Sequence, residues 1–291
     1  MSTFPEAGAA RESLSPERAA YLRKRRRRDR AILCAKLAVI VLFFALWEML
    51  ARVGVLDPFI FSQPTRLFSS LSRLVQSGEL FYHVGVTTAE AVAGFVLGTV
   101  FGTLIAVLLW WNPFVAKVAE PYLVVLNALP KIALGPIFIV WLGAGPTAIV
   151  VITLAISIVV SILEVLNGFL ATDMGMIRLA ETFGASKGQV LRKVVLPANF
   201  DTILNSLKVS VGMSWVGVIV GEFLVSRAGI GYLIVYGSQV FQMDLVMGSV
   251  LILAVIAALM YLVVLWLGRI GRRLQRSDAK AKGEGRGDSL E

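Results

Sequence analysis

Apolar residues in this chain gather into long continuous blocks, not the narrow stripes with which a water-soluble helix or strand covers a core. The blocks run over about residues 32–50, 86–111, 114–141, 147–166, 206–223 and 245–267. A helix needs roughly 20 apolar residues to cross about 30 Å of hydrocarbon. The pattern therefore predicts an all-α integral membrane protein with about six transmembrane helices. In the second block Gly94, Gly98 and Gly102 share one helix face, a spacing that lets another helix approach closely. The third block is irregular: Pro121, Pro130 and Pro136 each remove a backbone donor, which predicts a short helix, a break near Pro130-Lys131, and a span ending at Gly143-Ala144-Gly145-Pro146. Between the first two blocks, residues 65–75 carry Leu67, Phe68, Leu71, Leu74 and Val75 at helical spacing, an amphipathic helix expected to lie along the outer membrane surface.

Composition agrees with the blocks. The 291 residues are 57% hydrophobic, above the 45–50% or so of an ordinary soluble domain. The formal charge of +9 then needs a membrane explanation, because its clusters flank the terminal spans: the run from Arg23 through Lys24, Arg25, Arg26 and Arg27 to Arg28, and Arg269, Arg272, Arg273 and Arg276. Basic residues beside a span stay cytoplasmic, and an even number of crossings also places both termini on one side. Both termini are expected in the cytoplasm, in contact with anionic lipid, with no nucleic-acid partner. The domains expected are a basic cytoplasmic tail over 1–30, a transmembrane domain over 31–270 and a cytoplasmic tail over 271–291, mobile beyond Gln275; the polar loop over 167–205 would be cytoplasmic. The tail over 1–29 reads as disordered, with helix allowed just before the membrane, and the first block is too long for a signal peptide and should remain as an anchor.

One cysteine, Cys34, and one histidine, His83, exclude a disulfide framework and leave no metal cluster. His83 is expected at the outer opening of the second span. Lys36, Glu48, Glu90 and Glu164 sit near span ends and are expected at the interface. With no gathering of catalytic groups at one membrane face, no catalytic residue is assigned and an enzyme is not expected.

Residues 172–197 are neither span nor featureless loop. They predict two short helices meeting at Gly184, whose freedom allows the turn, with Ser186 and Gln189 as a capping box and Leu196-Pro197 ending the second helix. Met174, Ile177 and Phe183 give the first helix an apolar side, and Val190, Leu191 and Val194 the second; Arg192 and Lys193 are polar. Such a knob exposed to the cytoplasm is a docking element. Residues 184–188 superficially suggest a phosphate loop but have no preceding strand and no G-K-[ST] ending, so Lys187 is taken as a surface residue of the knob.

This stretch resembles the coupling motif of ABC importer permeases, E-A-A-x3-G-x9-I-x-L-P, with Ala180, Gly184, Leu196 and Pro197 in place and Val194 for the isoleucine. Arg178 stands at the glutamate position and Leu179 at the first alanine; Glu181 is an acid nearby. The resemblance narrows to the nitrate/sulfonate/taurine branch through residues 127–136, 141–145, Gly221-Glu222-Phe223 and Gly229-Ile230-Gly231-Tyr232. It implies a type I importer permease of a bacterial inner membrane. The partners implied are a second permease subunit, likewise this chain, two ATPase subunits that bind the ATP, and an external solute-binding protein; no cofactor is held here. ATPase coupling would fall to Arg178, Leu179, Ala180, Glu181, Phe183, Gly184, Ala185, Ser186, Leu196 and Pro197. Candidates for the translocation path are Asn127, Lys208, Ser210, Ser214, Trp215 and Glu222, with packing an open alternative for the serines and a loop-fixing role for Glu222. The solute implied is a small anion such as nitrate, a sulfonate, taurine or bicarbonate, with a small heterocycle as the alternative. A secondary transporter is the more distant one.

Overall fold

The computed structural model of the chain describes residues 16–287. The tail up to residue 15 and the side chains of Arg23, Arg26, Arg273 and Arg276 lie outside the described residues. In chain order the helices are α1 (Pro16–Arg52), α2 (Pro58–Phe61), α3 (Pro64–Gln76), α4 (Glu79–Trp111), α5 (Pro113–Ala128), α6 (Gly135–Leu142), α7 (Pro146–Leu170), α8 (Met174–Thr182), α9 (Lys187–Val190), α10 (Leu196–Ala198), α11 (Phe200–Val225), α12 (Ile230–Gln239) and α13 (Met243–Gly287). Among the described residues there is no strand. Helix extends beyond the apolar blocks at both ends: α1 starts at Pro16, where helix was allowed only just before the membrane, and α13 runs to Gly287. Arg, Lys, Leu and Ala are good helix formers, and no proline interrupts either stretch.

Two compact units divide the chain, one reaching to Arg66 and one beginning at Leu67. In the first unit, the apolar length of α1 is Arg27–Arg52. Glu48 near its end accepts from Arg52 Nε at 2.7 Å and from the Thr65 amide at 3.1 Å. Asp57 caps α2 by accepting from the Phe59 amide at 2.8 Å.

The second unit is built around α7. On α4, Gly94, Gly98 and Gly102 face Thr153, Ser157 and Ser161 of α7 in that order, so closely that a Cβ at Gly102 would lie 2.5 Å from Ser161 Cβ. Both series ascend together, so α4 and α7 run parallel. The same small residues of α7 also meet α11, Gly217 against Thr153 and Ser210 against Ser161, so α11 runs antiparallel to α7. Small residues thus let α4, α7 and α11 come together at backbone contact.

The parallel pair settles how the third block is used. A chain leaving the end of α4 must return across the layer before α7 can start beside the beginning of α4. The segment that returns is α5, a 3₁₀ turn over Lys131–Leu134, and α6, bent by 87° between its halves. The bend falls at Pro130, as expected. Five helices are individually long and apolar enough to cross, and this broken pair makes the sixth. Gly268 and Gly271 of α13 pack on Leu204 and Phe200 of α11, which places the end of α13 beside the start of α11.

Part of the apolar side of α3 packs on the bundle: Leu67 is buried and Leu71 sits against Gly248 of α13, where a Cβ would come within 2.9 Å, while Phe68 and Val75 stay exposed. The first turns of α11 begin at Phe200, not near residue 206, because Leu204 finds a partner in Gly268.

Candidate functional sites at the two ends of the helix bundle

The knob follows α7. Asp173 caps α8 by accepting from the Gly175 amide at 2.7 Å. After Thr182 the chain turns at Gly184, whose φ of +78° is in the left-handed region that favours glycine. The Ser186 amide then donates to Gln189 Oε1 at 2.8 Å, one half of the predicted capping box. The second helix is not stopped by Leu196-Pro197. It widens into a π segment over Leu191–Val195 and carries on as α10 to Ala198. A wider turn accommodates the donor that Pro197 lacks. The two roots of the knob are tied where Asn199 Nδ2 donates to Thr172 Oγ1 at 2.7 Å.

Burial splits the knob's apolar residues. Ile177, Val190, Leu191 and Val195 join one buried cluster with Ala106 and Leu109 of α4, Ala116 and Leu123 of α5, and Phe169 of α7. Met174, Met176, Leu179 and Phe183 stay exposed, Phe183 by 83%. Of the apolar side expected on the first helix, Ile177 points into the core while Met174 and Phe183 stay uncovered. Arg178, Glu181, Gly184, Ser186 and Pro197 are exposed with them, while Ala180, Ala185 and Leu196 are half-buried against the core. Seven of the ten coupling candidates are thus uncovered, Leu179 and Phe183 as large apolar side chains among them.

Lys187 is more than a surface residue. Its Nζ donates to the Trp111 carbonyl oxygen at 2.6 Å and lies 6.0 Å from the ring centroids of both Trp110 and Trp111. Beside it, a cavity of about 220 Å³ opens between Trp110, Phe169, Met174, Glu181 and Lys187.

At the other end of the bundle, Glu222 of α11 is 2% exposed and fully engaged. Its Oε1 accepts from Thr87 Oγ1 at 2.6 Å, and its Oε2 accepts from the Gly231 amide. Thr87 accepts in turn from the Ile230 amide at 2.7 Å, and His83 Nδ1 from the Gly229 amide at 2.9 Å. His83 also stacks on Tyr232. α4 and α11 thus jointly grip the first amides of α12. Glycine is required for this approach, since a Cβ at Gly231 would come within 2.6 Å of Glu222 Oε2. Thr87 and His83 were missed as partners; the alternation Gly229-Ile230-Gly231 after Glu222 was the available signal. His83 lies inside α4, which starts at Glu79, and is 8% exposed. Glu90 is buried beside Glu222, with one carboxylate oxygen lacking a partner, instead of at an interface.

The path candidates do not form one lining. Ser210 bonds Ser161 at 2.8 Å, Ser214 bonds the Ser210 carbonyl at 2.8 Å, and Trp215 is buried, so these side chains, like Glu222, face neighbouring helices. Lys208 is half-buried, its ammonium on Asn205 Oδ1 at 2.7 Å, and Asn127 is exposed, its carbonyl accepting from Lys131. The uncovered face of α11 is instead Asn205, Val209, Gly212, Val216 and Phe223. Among the described residues, no group of three or more His, Cys, Asp or Glu side chains could hold a metal.

Comparison with known proteins places these features. A probable ABC transporter permease protein of Haemophilus influenzae is 30% identical over 79% of this chain and 94% of its own length. The putative aliphatic sulfonates transport permease protein SsuC of Bacillus subtilis is 28% identical over 85% of this chain and 90% of its own. The formylaminopyrimidine transport permease protein ThiX of Halalkalibacterium halodurans is 29% identical over 66% and 76%. Among solved structures, a bacterial ABC transporter involved in import of the acidic polysaccharide alginate has a chain that superposes with a TM-score of 0.58, covering 86% of this chain and 98% of that one at 16% identity, a likeness of fold. Residues 98–276 match the family described as binding-protein-dependent transport system inner membrane component, and this chain, with its parallel α4–α7 pair and its exposed knob, belongs to that family.

Proposed function

We propose that this chain is the pore-forming subunit of an ATP-driven importer that carries a small organic anion of the sulfonate type into the cytoplasm. The observation that carries the ATP-driven part is the knob: a compact helix pair, rooted in the core through Ile177, Val190, Leu191 and Val195, with Leu179, Phe183 and Met176 uncovered around Gly184. An ATPase subunit docking there would cover these apolar side chains. A rigid pair passes on its movement as a body, which is what switching between two arrangements requires. The chain itself binds no ATP or other cofactor in this reading. Its partners are a second copy of itself, two ATPase subunits, an external binding protein and the surrounding lipid. The exposed face of α11 from Asn205 to Phe223 is where the path or the partner subunit would meet it, with the Lys208 ammonium bonded to Asn205 on that face. Both termini lie in the cytoplasm with the knob.

Support for a sulfonate comes from the 85% of this chain aligned with the sulfonate permease. The formylaminopyrimidine relative, equally similar over a shorter length, keeps a small heterocycle as the second reading. Purification of the tagged chain from membranes tests the first claim: an ATPase subunit should come with it, and the complex should hydrolyse ATP. Ligand binding by the binding protein that assembles with it then separates the solutes. A sulfonate bound and a pyrimidine ignored is the expected result; the reverse favours the second reading.

A further inference from the structure

We propose that Lys187 is a positioning residue that ties the knob to the end of α4, so that the two move together during transport. The inference rests on the coupling role just proposed for the knob. The knob is joined to its flanking helices α7 and α11 by the chain itself, and Asn199 and Thr172 only fasten those two roots to each other. Contact with α4, distant in sequence, is otherwise apolar, through Ala106 and Leu109. Apolar contact resists separation but is non-directional, so it does not fix how one surface is placed along another. Lys187 supplies the missing direction. The Trp111 carbonyl belongs to the last turn of α4, where carbonyl oxygens have no partner within the helix and carry the negative end of its dipole. An ammonium donating to it at 2.6 Å, with an indole on each flank at 6.0 Å, is held by charge, hydrogen bond and ring faces at once. The Trp111 ring lies beside Gly188, 3.6 Å from where a Cβ would be, an ordinary packing distance. Because α4 is locked to α7 along the glycine seam, a pull delivered at Trp111 reaches the centre of the bundle.

The test uses the complete transporter, with ATPase subunits and binding protein, in proteoliposomes. Lys187→Met keeps the aliphatic length and removes the charge and the donor. The expected result is a fall in maximal uptake of at least ten-fold, ATP hydrolysis within two-fold of the parent, an unchanged solute concentration for half-maximal uptake, and recovery to within three-fold in Lys187→Arg. An unchanged ratio of solute moved to ATP hydrolysed in Lys187→Met would overturn the proposal. Should Lys187→Met not assemble, a second arm decides. In a Cys34→Ser background, Lys187→Cys and Trp111→Cys are joined by a short bifunctional thiol reagent. A transporter that still takes up solute when joined supports a tie that persists through the cycle, and one that stops only when joined sinks it. Absence of any ATPase subunit from the unaltered complex would instead count against the coupling role, not against the tie alone.

Discussion

At the scale of single residues, the network around Glu222 shows why an ionisable group can sit inside the helix bundle. Glu222 meets a hydroxyl and a backbone amide, so its replacement has graded consequences. Gln keeps one acceptor for the Gly231 amide and can turn its NH₂ toward Thr87; Ala leaves the Gly231 amide unpaired, leaves the Thr87 hydroxyl only the His83 carbonyl to donate to, and opens a void. Glu222→Gln is expected to lower the stability of the detergent-purified subunit by about 1 kcal/mol and Glu222→Ala by about 3 kcal/mol, read as thermal midpoints. Equal midpoints for the two would show that the carboxylate does not hold α12. Sequence could single out Glu222 and the glycines after it. It could not find Thr87 and His83, which lie 135 and 146 positions from their partners Glu222 and Gly229 and are brought there only by helix packing.

Elements were legible where one physical cause dominates. The glycine face of α4 predicted close packing, and the structure supplies Thr153, Ser157 and Ser161 as what it packs on. Gly98→Leu should therefore reduce the folded yield in membranes and cost about 1–3 kcal/mol or more, whereas Gly85→Leu, with open space where its Cβ would be, should stay within about 0.5 kcal/mol. A similar loss at both positions would refute the seam. Gly184 is a different case: nothing lies within 4 Å of an added Cβ, so only its left-handed backbone resists substitution. Gly184→Asp is expected to leave the subunit in the membrane, at a strain of about 1–2 kcal/mol, and to abolish most uptake by displacing Phe183 and Ser186. Normal uptake in vesicles carrying that variant would remove the turn from the coupling device. The π segment before Pro197 was not legible, because proline more often ends a helix than widens the turn before it.

For the molecule as a whole, hydropathy leaves the number of crossings between five and six, since α5 and α6 are bent by 87° and could enter and leave on one face. Packing decides it within the second unit. If the pair were re-entrant, α7 would start on the side where α4 ends and the two would be antiparallel; the ascending matches of Gly94 with Thr153 and Gly102 with Ser161 exclude this. The Lys187 bond agrees, because it requires the knob at the end of α4. The proposed cytoplasmic placement of both tails and the knob requires α1 to be a further crossing and rests on the basic flanks, since arginines beside a span are retained in the cytoplasm. Single cysteines in a Cys34→Ser background test this with a membrane-impermeant thiol reagent on intact cells. Gln239→Cys, exposed at the end of α12, should react directly, whereas Thr182→Cys in the knob and Tyr21→Cys, exposed ahead of the apolar length of α1, should react only after the membrane is opened. Reaction of Tyr21→Cys in intact cells would mean that α1 does not cross with the expected polarity, leaving the knob's side to be fixed by Thr182→Cys alone.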